Sequence, residues 1–155
     1  MKLDFIKNII YSIRELIFIS NKQKIDLDVT NAKKKALLTF KKCVKQLKND
    51  QIAIDCGANI GKFTVEMAQS ESTVYAFEPN SFAYKELVKN TNQFNNVVCF
   101  QKAVGVNNNH VKLYMHENAK SNKIKWSTGS SLLSHKGNVN EEEYELVECI
   151  DFIEF

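Results

Sequence analysis

The sequence predicts an α/β fold in which a parallel sheet is wound with helices, and three observations carry that prediction. After residue 50, short apolar runs alternate with stretches of helical periodicity, two of the runs close on an acidic residue, and a glycine turn joins the first run to its helix. The 155 residues are 44% hydrophobic and hold 21 basic against 18 acidic side chains, the composition of a globular protein of one-domain size. A chain this long buries roughly two thirds of its unfolded surface, so its core needs no disulfide or metal staple.

The segment Gln51–Cys56 is the first strand candidate, and it passes through Gly57-Ala58-Asn59-Ile60-Gly61 into a helix on which Phe63, Met67 and Ala68 recur at helical spacing. Thr73–Phe77 is the second strand and runs into Glu78 and Pro79, the only proline. Asn80 or Ser81 then caps a helix carrying Phe82, Leu87 and Val88 on its apolar side. Val97–Val104 is the third strand. Strands separated by helices of this length imply crossover connections, and hence a doubly wound parallel layout. Beyond it, the turn cluster at Val106–His110 and the alternation of Val111, Leu113 and Met115 predict an added β-hairpin. Ser127–Ser131 reads as a hydroxylic loop, and a last strand is expected over Tyr144–Ile150.

Residues 1–49 form a separate amino-terminal segment of two predicted helices, and residues 50–155 form the α/β part. In the first helix Ile6, Ile9, Ile10, Ile13, Leu16 and Ile17 recur at helical spacing, while Asp4, Arg14 and Glu15 interrupt the apolar run. That is an amphipathic helix rather than a signal peptide, suited to packing on a domain or partner, with peripheral membrane contact as the alternative. No run approaches 18 uncharged apolar residues, so a transmembrane helix is not expected. The second helix, Thr30–Lys48, has an apolar stripe of Ala36, Leu37, Phe40, Val44 and Leu47 set among lysines. Residues 1–48 carry a net +8 and the remainder −5. Such a basic helix suits RNA, anionic lipid or an acidic partner, but no Arg, Tyr or Trp interleaves with its lysines, which argues against nucleic acid. Cys43, Cys56, Cys99 and Cys149 contain no CxxC or CxxH spacing, so reduced and mostly buried thiols, no metal site and a cytoplasmic location are expected.

A strand feeding a helix through glycines leaves room for a cofactor to approach the main chain, with N–H groups facing the crevice. The spacing here is neither the dinucleotide GxGxxG, since Asn59 stands where the middle glycine would be, nor a P-loop, since no Ser or Thr follows Lys62. Asp55 immediately before the turn repels phosphate and favours a cationic or amine-bearing ligand. Glu78, at the end of the next strand, can accept both hydroxyls of a ribose. Acids ending two successive apolar strands are costly to bury without hydrogen bonds, so both are expected to converge on one ligand: a nucleoside with a sulfonium and an amino acid tail, S-adenosylmethionine.

Asp55-Cys-Gly-Ala-Asn-Ile-Gly61, Val74-Tyr-Ala-Phe-Glu-Pro-Asn80, Lys102-Ala-Val-Gly105 and Gly129-Ser-Ser-Leu132 resemble, in order and spacing, the FkbM-type S-adenosylmethionine-dependent methyltransferases over roughly residues 50–155. The resemblance implies a Rossmann-like class I methyltransferase fold and O-methylation of a hydroxyl on a sugar, glycan or other small molecule. It further implies a cofactor site made of Asp55, Gly57, Ala58, Asn59 and Gly61 for the methionine part, Glu78 for the ribose and Ala103 beside adenine. Ser130 and Ser131 match a motif of unassigned role, read as substrate-side, and none of His110, His116 and His135 is singled out as a general base. In the family a further strand follows the segment matching Glu145–Phe155, so the parallel sheet is expected to be incomplete here as in a truncated member, completed by a second chain or a homo-oligomer, or covered on its exposed face by the amino-terminal helices. The alternatives are a catalytically inactive cofactor-binding or interaction module, and a nucleic-acid methyltransferase using the lysine-rich helix.

Overall fold

The computed structural model describes residue 26 and residues 28–155, so the amphipathic stretch Ile6–Ile19 lies outside the described residues. The chain divides into two compact units, Met1–Cys43 and Val44–Phe155. Residues 28–44 are helical (α1), without a glycine or proline to interrupt them, and no helix among the described residues is long and apolar enough to cross a membrane. The helix ends four residues short of the expected Lys48. There the Gln51 side chain accepts the Lys48 N–H at 2.9 Å, while the Gln51 N–H donates to the Lys48 carbonyl at 3.1 Å, and this local turn takes the bonds a further helical turn would need.

Three strands, β1 (Ile52–Cys56), β2 (Thr73–Phe77) and β3 (Val97–Phe100), form a parallel sheet in the order β1-β2-β3. The helices α2 (Lys62–Ala68) and α3 (Ser81–Thr91) make the crossovers. The register pairs Ile54 with Tyr75 and Asp55 with Ala76, and on β3 Val98 with Tyr75 and Cys99 with Ala76. Paired residues in a parallel sheet point to the same side, so Ala53, Asp55, Val74, Ala76 and Cys99 share one face. That face packs under the helices: Ala76, Ala58 and Leu87 are buried together, with Tyr84 and Cys99 against them.

The opposite face holds Ile52, Ile54, Val98, Tyr75, Phe77 and Phe100. Both α2 and α3 lie on the first face, so the described sheet is wound on one side rather than on two. Its second side carries an aromatic cluster instead, in which Phe77 stacks on Phe100 at 4.8 Å and Phe155 meets Phe77 edge-on at 5.1 Å. Cys56 belongs to this outward side and is exposed, as is Cys43. The expectation of mostly buried thiols therefore fails for two of the four, and partial desolvation of the otherwise exposed Cys56 thiol, together with the neighbouring Asp55 charge, raises it above its ordinary pKa.

The predicted third strand, Val97–Val104, is two strands. After Phe100 the chain leaves the parallel sheet, and β4 (Ala103–Gly105) joins a second sheet of order β4-β6-β5, with β5 at Asn109–His116 and β6 at Val139–Asp151. β4 pairs with β6 in parallel and β5 with β6 antiparallel. The predicted hairpin partner of β5 was its predecessor in sequence, but β6 intervenes and provides the ladder for both. Ala103, Leu113, Val147 and Cys149 close around one another and bury this sheet's apolar side. β6 begins five residues before its predicted start because Val139 pairs with His116 across an irregularity in the ladder, and the intervening Asn140–Glu143 carry no apolar alternation that would mark a strand.

Two local features fix the ends of the first sheet. Asn80 caps α3, its Oδ1 accepting the N–H groups of Phe82 at 3.1 Å and Ala83 at 3.0 Å. Gly61 precedes α2 at φ 87°, and a Cβ there would lie 2.8 Å from Leu87 Cδ1. Gly61→Ala is expected to cost about 1–3 kcal/mol through the left-handed backbone and the crowding of α3. Gly137→Ala, where a Cβ meets nothing within 4 Å, should stay within about 0.5 kcal/mol of the parent. Urea denaturation of the two variants checks the difference.

Candidate functional site

The site assembles where β1 and β2 end side by side. The β1–α2 turn folds back on the end of β2: the N–H groups of Gly57 and Ala58 both donate to the Phe77 carbonyl, each at 2.9 Å. Those donors therefore complete the sheet's last ladder bonds and do not face the crevice as expected. Asn59 follows at φ 50°, and its N–H donates to Glu78 Oε2 at 2.7 Å. The other Glu78 oxygen, Oε1, accepts the Asn80 N–H at 2.7 Å. One carboxylate thus pins the turn after β1 to the start of α3.

Glu78 is only 6% exposed. Burial raises its pKa above the usual glutamate range, the two backbone N–H donors oppose that shift, and the negative charges of Asp55 and Glu145 add to it. A carboxylate offers about four lone-pair positions, and two are taken by the main chain. Glu78 also lines a cavity of about 300 Å³, together with Gly57, Asn59, Leu113 and the loop residues Ser127, Ser130 and Ser131. Gly57 has φ 82°, and a Cβ built on it would meet nothing within 4 Å, so its bare side opens onto free space.

The sequence-predicted residues divide into two groups. Gly57, Asn59 and Glu78 share the cavity wall, as do Ser130 and Ser131. Asp55, Ala58, Gly61 and Ala103 do not. Asp55 Oδ2 accepts the hydroxyl of Thr64, a fully buried residue of α2, at 2.7 Å, so this acid lies on the helix side of the sheet and reaches Glu78 through its charge alone. Ala58 is buried against Ala76 and Leu87. Gly61 answers the packing of α3, and Ala103 lies in the core of the second sheet. The expected convergence of two carboxylates on one cleft is thus met by Glu78 and not by Asp55, because the register puts Asp55 on the face covered by α2.

Sequence reasoning missed the residue that closes the cavity. Ser127, buried in a short 3₁₀ turn, accepts the Asn59 side-chain amide at 2.7 Å and donates to the Ile124 carbonyl at 2.8 Å. The two residues stand 68 positions apart, and no local pattern links them. Asn80 Nδ2 lies 3.5 Å from Ser130 Oγ, a second tie between the β2 end and the same loop.

The family model of the methyltransferase FkbM domain matches residues 55–153, well over half of the chain. The chain belongs to the FkbM methyltransferase family. No curated protein matches it. Among solved structures, P. horikoshii TYW2 in complex with MeSAdo aligns at 18% identity and TM-score 0.36 over 42% of this chain and 31% of its own. An rRNA methylase from Streptococcus thermophilus aligns at 16% identity and TM-score 0.38 over 44% of this chain and 51% of its own. A putative rRNA methylase from Clostridium thermocellum aligns at 18% and 0.38, over 43% and 40%. The chain thus spans between about a third and a half of the length of these structures.

The methyl donor that this family membership implies is S-adenosylmethionine. The cavity fits such a group on two observations: the unfilled side of Gly57 at its wall, and an acceptor carboxylate with unused lone pairs held by backbone donors. The raised pKa of Glu78 has a sign that can be worked out. Between the ordinary glutamate value and the raised one, the folded chain holds a proton that the unfolded chain has lost, so stability falls as pH rises across that window. Glu78→Gln should remove this slope, as measured by chemical denaturation at a series of pH values.

Proposed function

We propose that this FkbM-family chain binds S-adenosylmethionine at the Gly57–Glu78 cavity and methylates a hydroxyl on a sugar or other small molecule. The single observation that supports this best is the Glu78 carboxylate, buried at a strand end and already oriented by the Asn59 and Asn80 N–H groups toward a cavity beside an unfilled glycine. In this reading Glu78 accepts the two ribose hydroxyls, and no rearrangement is needed because both of its oxygens are fixed before the ligand arrives. Gly57 admits the methionine portion, and Asn59, held by Ser127, keeps the turn from collapsing into the space. Asp55 acts from behind the site by tying β1 to α2 through Thr64.

When bound, the cofactor would supply an activated methyl group for in-line displacement by an oxygen nucleophile. Such a reaction gains most from alignment, so the residues of this chain serve chiefly to orient and to exclude water. Among the described residues, Glu78 is the one charged side chain on the cavity wall, which suits a cationic ligand.

Calorimetry of the intact chain with S-adenosylmethionine is expected to show binding. Glu78→Ala and Gly57→Ala should each weaken it at least tenfold; the second also costs about 1–3 kcal/mol of stability through its left-handed backbone, so urea denaturation accompanies the calorimetry. Absence of binding by the intact chain would refute the cofactor assignment. Binding should also weaken as pH falls through the raised Glu78 pKa, since a protonated carboxyl loses acceptor capacity. Transfer of labelled methyl to an RNA, with a steep loss of binding as salt increases, would overturn the small-molecule acceptor while keeping the donor.

A further inference from the structure

We propose that His116 is a positioning residue of the donor site: the flat face of its imidazole seats the loop Ser127–Ser131 and so sets how closely that loop covers the Gly57–Glu78 cavity. This rests on the S-adenosylmethionine reading above and adds to it a residue that is not itself part of the cavity lining. His116 ends β5 and is only 6% exposed, yet no role assigned so far uses it. A polar ring buried at a strand end needs a partner, and its Nδ1 accepts the Asn118 N–H at 3.0 Å, which fixes the rotation of the ring.

The loop meets that ring at two points. Trp126, the last residue of the short helix α4 (Lys123–Trp126), stacks on the imidazole with 4.4 Å between ring centres and 22° between planes. Gly129, three residues later, lies so near that a Cβ built on it would overlap Cδ2 and stand 2.9 Å from Cγ. The absence of a side chain at 129 is therefore what lets the loop descend onto the ring. From these two points the position passes to the cavity within one or two residues. Ser127, directly after Trp126, accepts the Asn59 side-chain amide. Ser131, two residues after Gly129, exchanges both backbone bonds with Tyr114 of β5, its N–H donating at 3.0 Å and its carbonyl accepting at 2.8 Å. Ser127, Ser130 and Ser131 all line the cavity, so a loop raised by the width of one methyl group withdraws part of its wall and releases the Asn59 turn. A close-packed, stacked ring has no room to give way in compensation.

Amide hydrogen exchange of the intact chain without ligand reads the seat at the Ser131 N–H, and the Val74 N–H, which donates to the Asn96 carbonyl in the first sheet, reads global opening. His116→Ala should speed exchange at least tenfold at Ser131 and less than threefold at Val74. His116→Phe keeps the flat face and gives up only the bond to the exposed Asn118, so it should return Ser131 to within threefold of the parent. In calorimetry with S-adenosylhomocysteine, His116→Ala should weaken binding at least fivefold and His116→Phe less than twofold. Gly129→Ala should cost at least fivefold in the parent but less than threefold when added to His116→Ala, because the ring it would strike is gone. Equal acceleration at Ser131 and Val74, no restoration by phenylalanine, or fully additive losses from Gly129→Ala and His116→Ala overturns the proposal. If the intact chain binds no S-adenosylhomocysteine, the cofactor reading fails instead, and the exchange rates still decide whether the imidazole holds the loop.

Discussion

The architecture around the site depends on one buried carboxylate. Glu78 ends β2 and accepts one backbone N–H from the turn after β1 and one from the residue that caps α3. A buried charge without partners would cost several kcal/mol, and these two short bonds are what make the position tenable. They also immobilise it: neither the β1–α2 turn nor the α3 start can shift without breaking a charge-assisted bond. The shape of the cavity wall and local stability therefore share the same two contacts.

The surrounding chain converts that constraint into a cavity. The Gly57 and Ala58 N–H groups close on the Phe77 carbonyl, which leaves the glycine's bare side as the wall. Ser127 and Ser130 bring a loop from the second sheet over the same space by holding the Asn59 and Asn80 side chains. The FkbM domain thus builds its candidate site from two sheets, one supplying the strand ends and the other the cover. The outward face of the first sheet has a different character. Parallel sheets ordinarily have both faces covered, and here Ile52 at 57% and Ile54 at 41% exposure sit beside a cluster that Phe155 only partly shields.

Legibility in the sequence followed the range of the interaction. The β1-turn-α2 and β2-α3 units stood out because apolar runs, capping Asn80 and positive-φ glycines are signals carried within about ten residues. Where partners come from far along the chain, the sequence carries no local signal of them. Nothing in Val97–Val104 marks the point at which the strand leaves one sheet for the other, since both halves are apolar, and β6 as the partner of β4 and β5 has no local trace. Asp55 and Glu78 look equivalent as acids beside strand ends. Their difference is one of register: Asp55 pairs with Ala76 on the helix-covered face, whereas Glu78 lies one residue past the paired strand.

By itself the sequence determined the alternating α/β order and the family motifs, and it placed Gly57, Asn59 and Glu78 in the turns at the ends of β1 and β2, because turn chemistry and hydrophobic period are local properties. Only the tertiary structure decided which carboxylate opens on the cavity, that Gly61 and Ala103 serve packing, and that Ser127 and the β6 acids stand beside the β2 end. Those outcomes depend on which faces and ends meet after the strands pair, and strand pairing joins residues that the linear order keeps tens of positions apart.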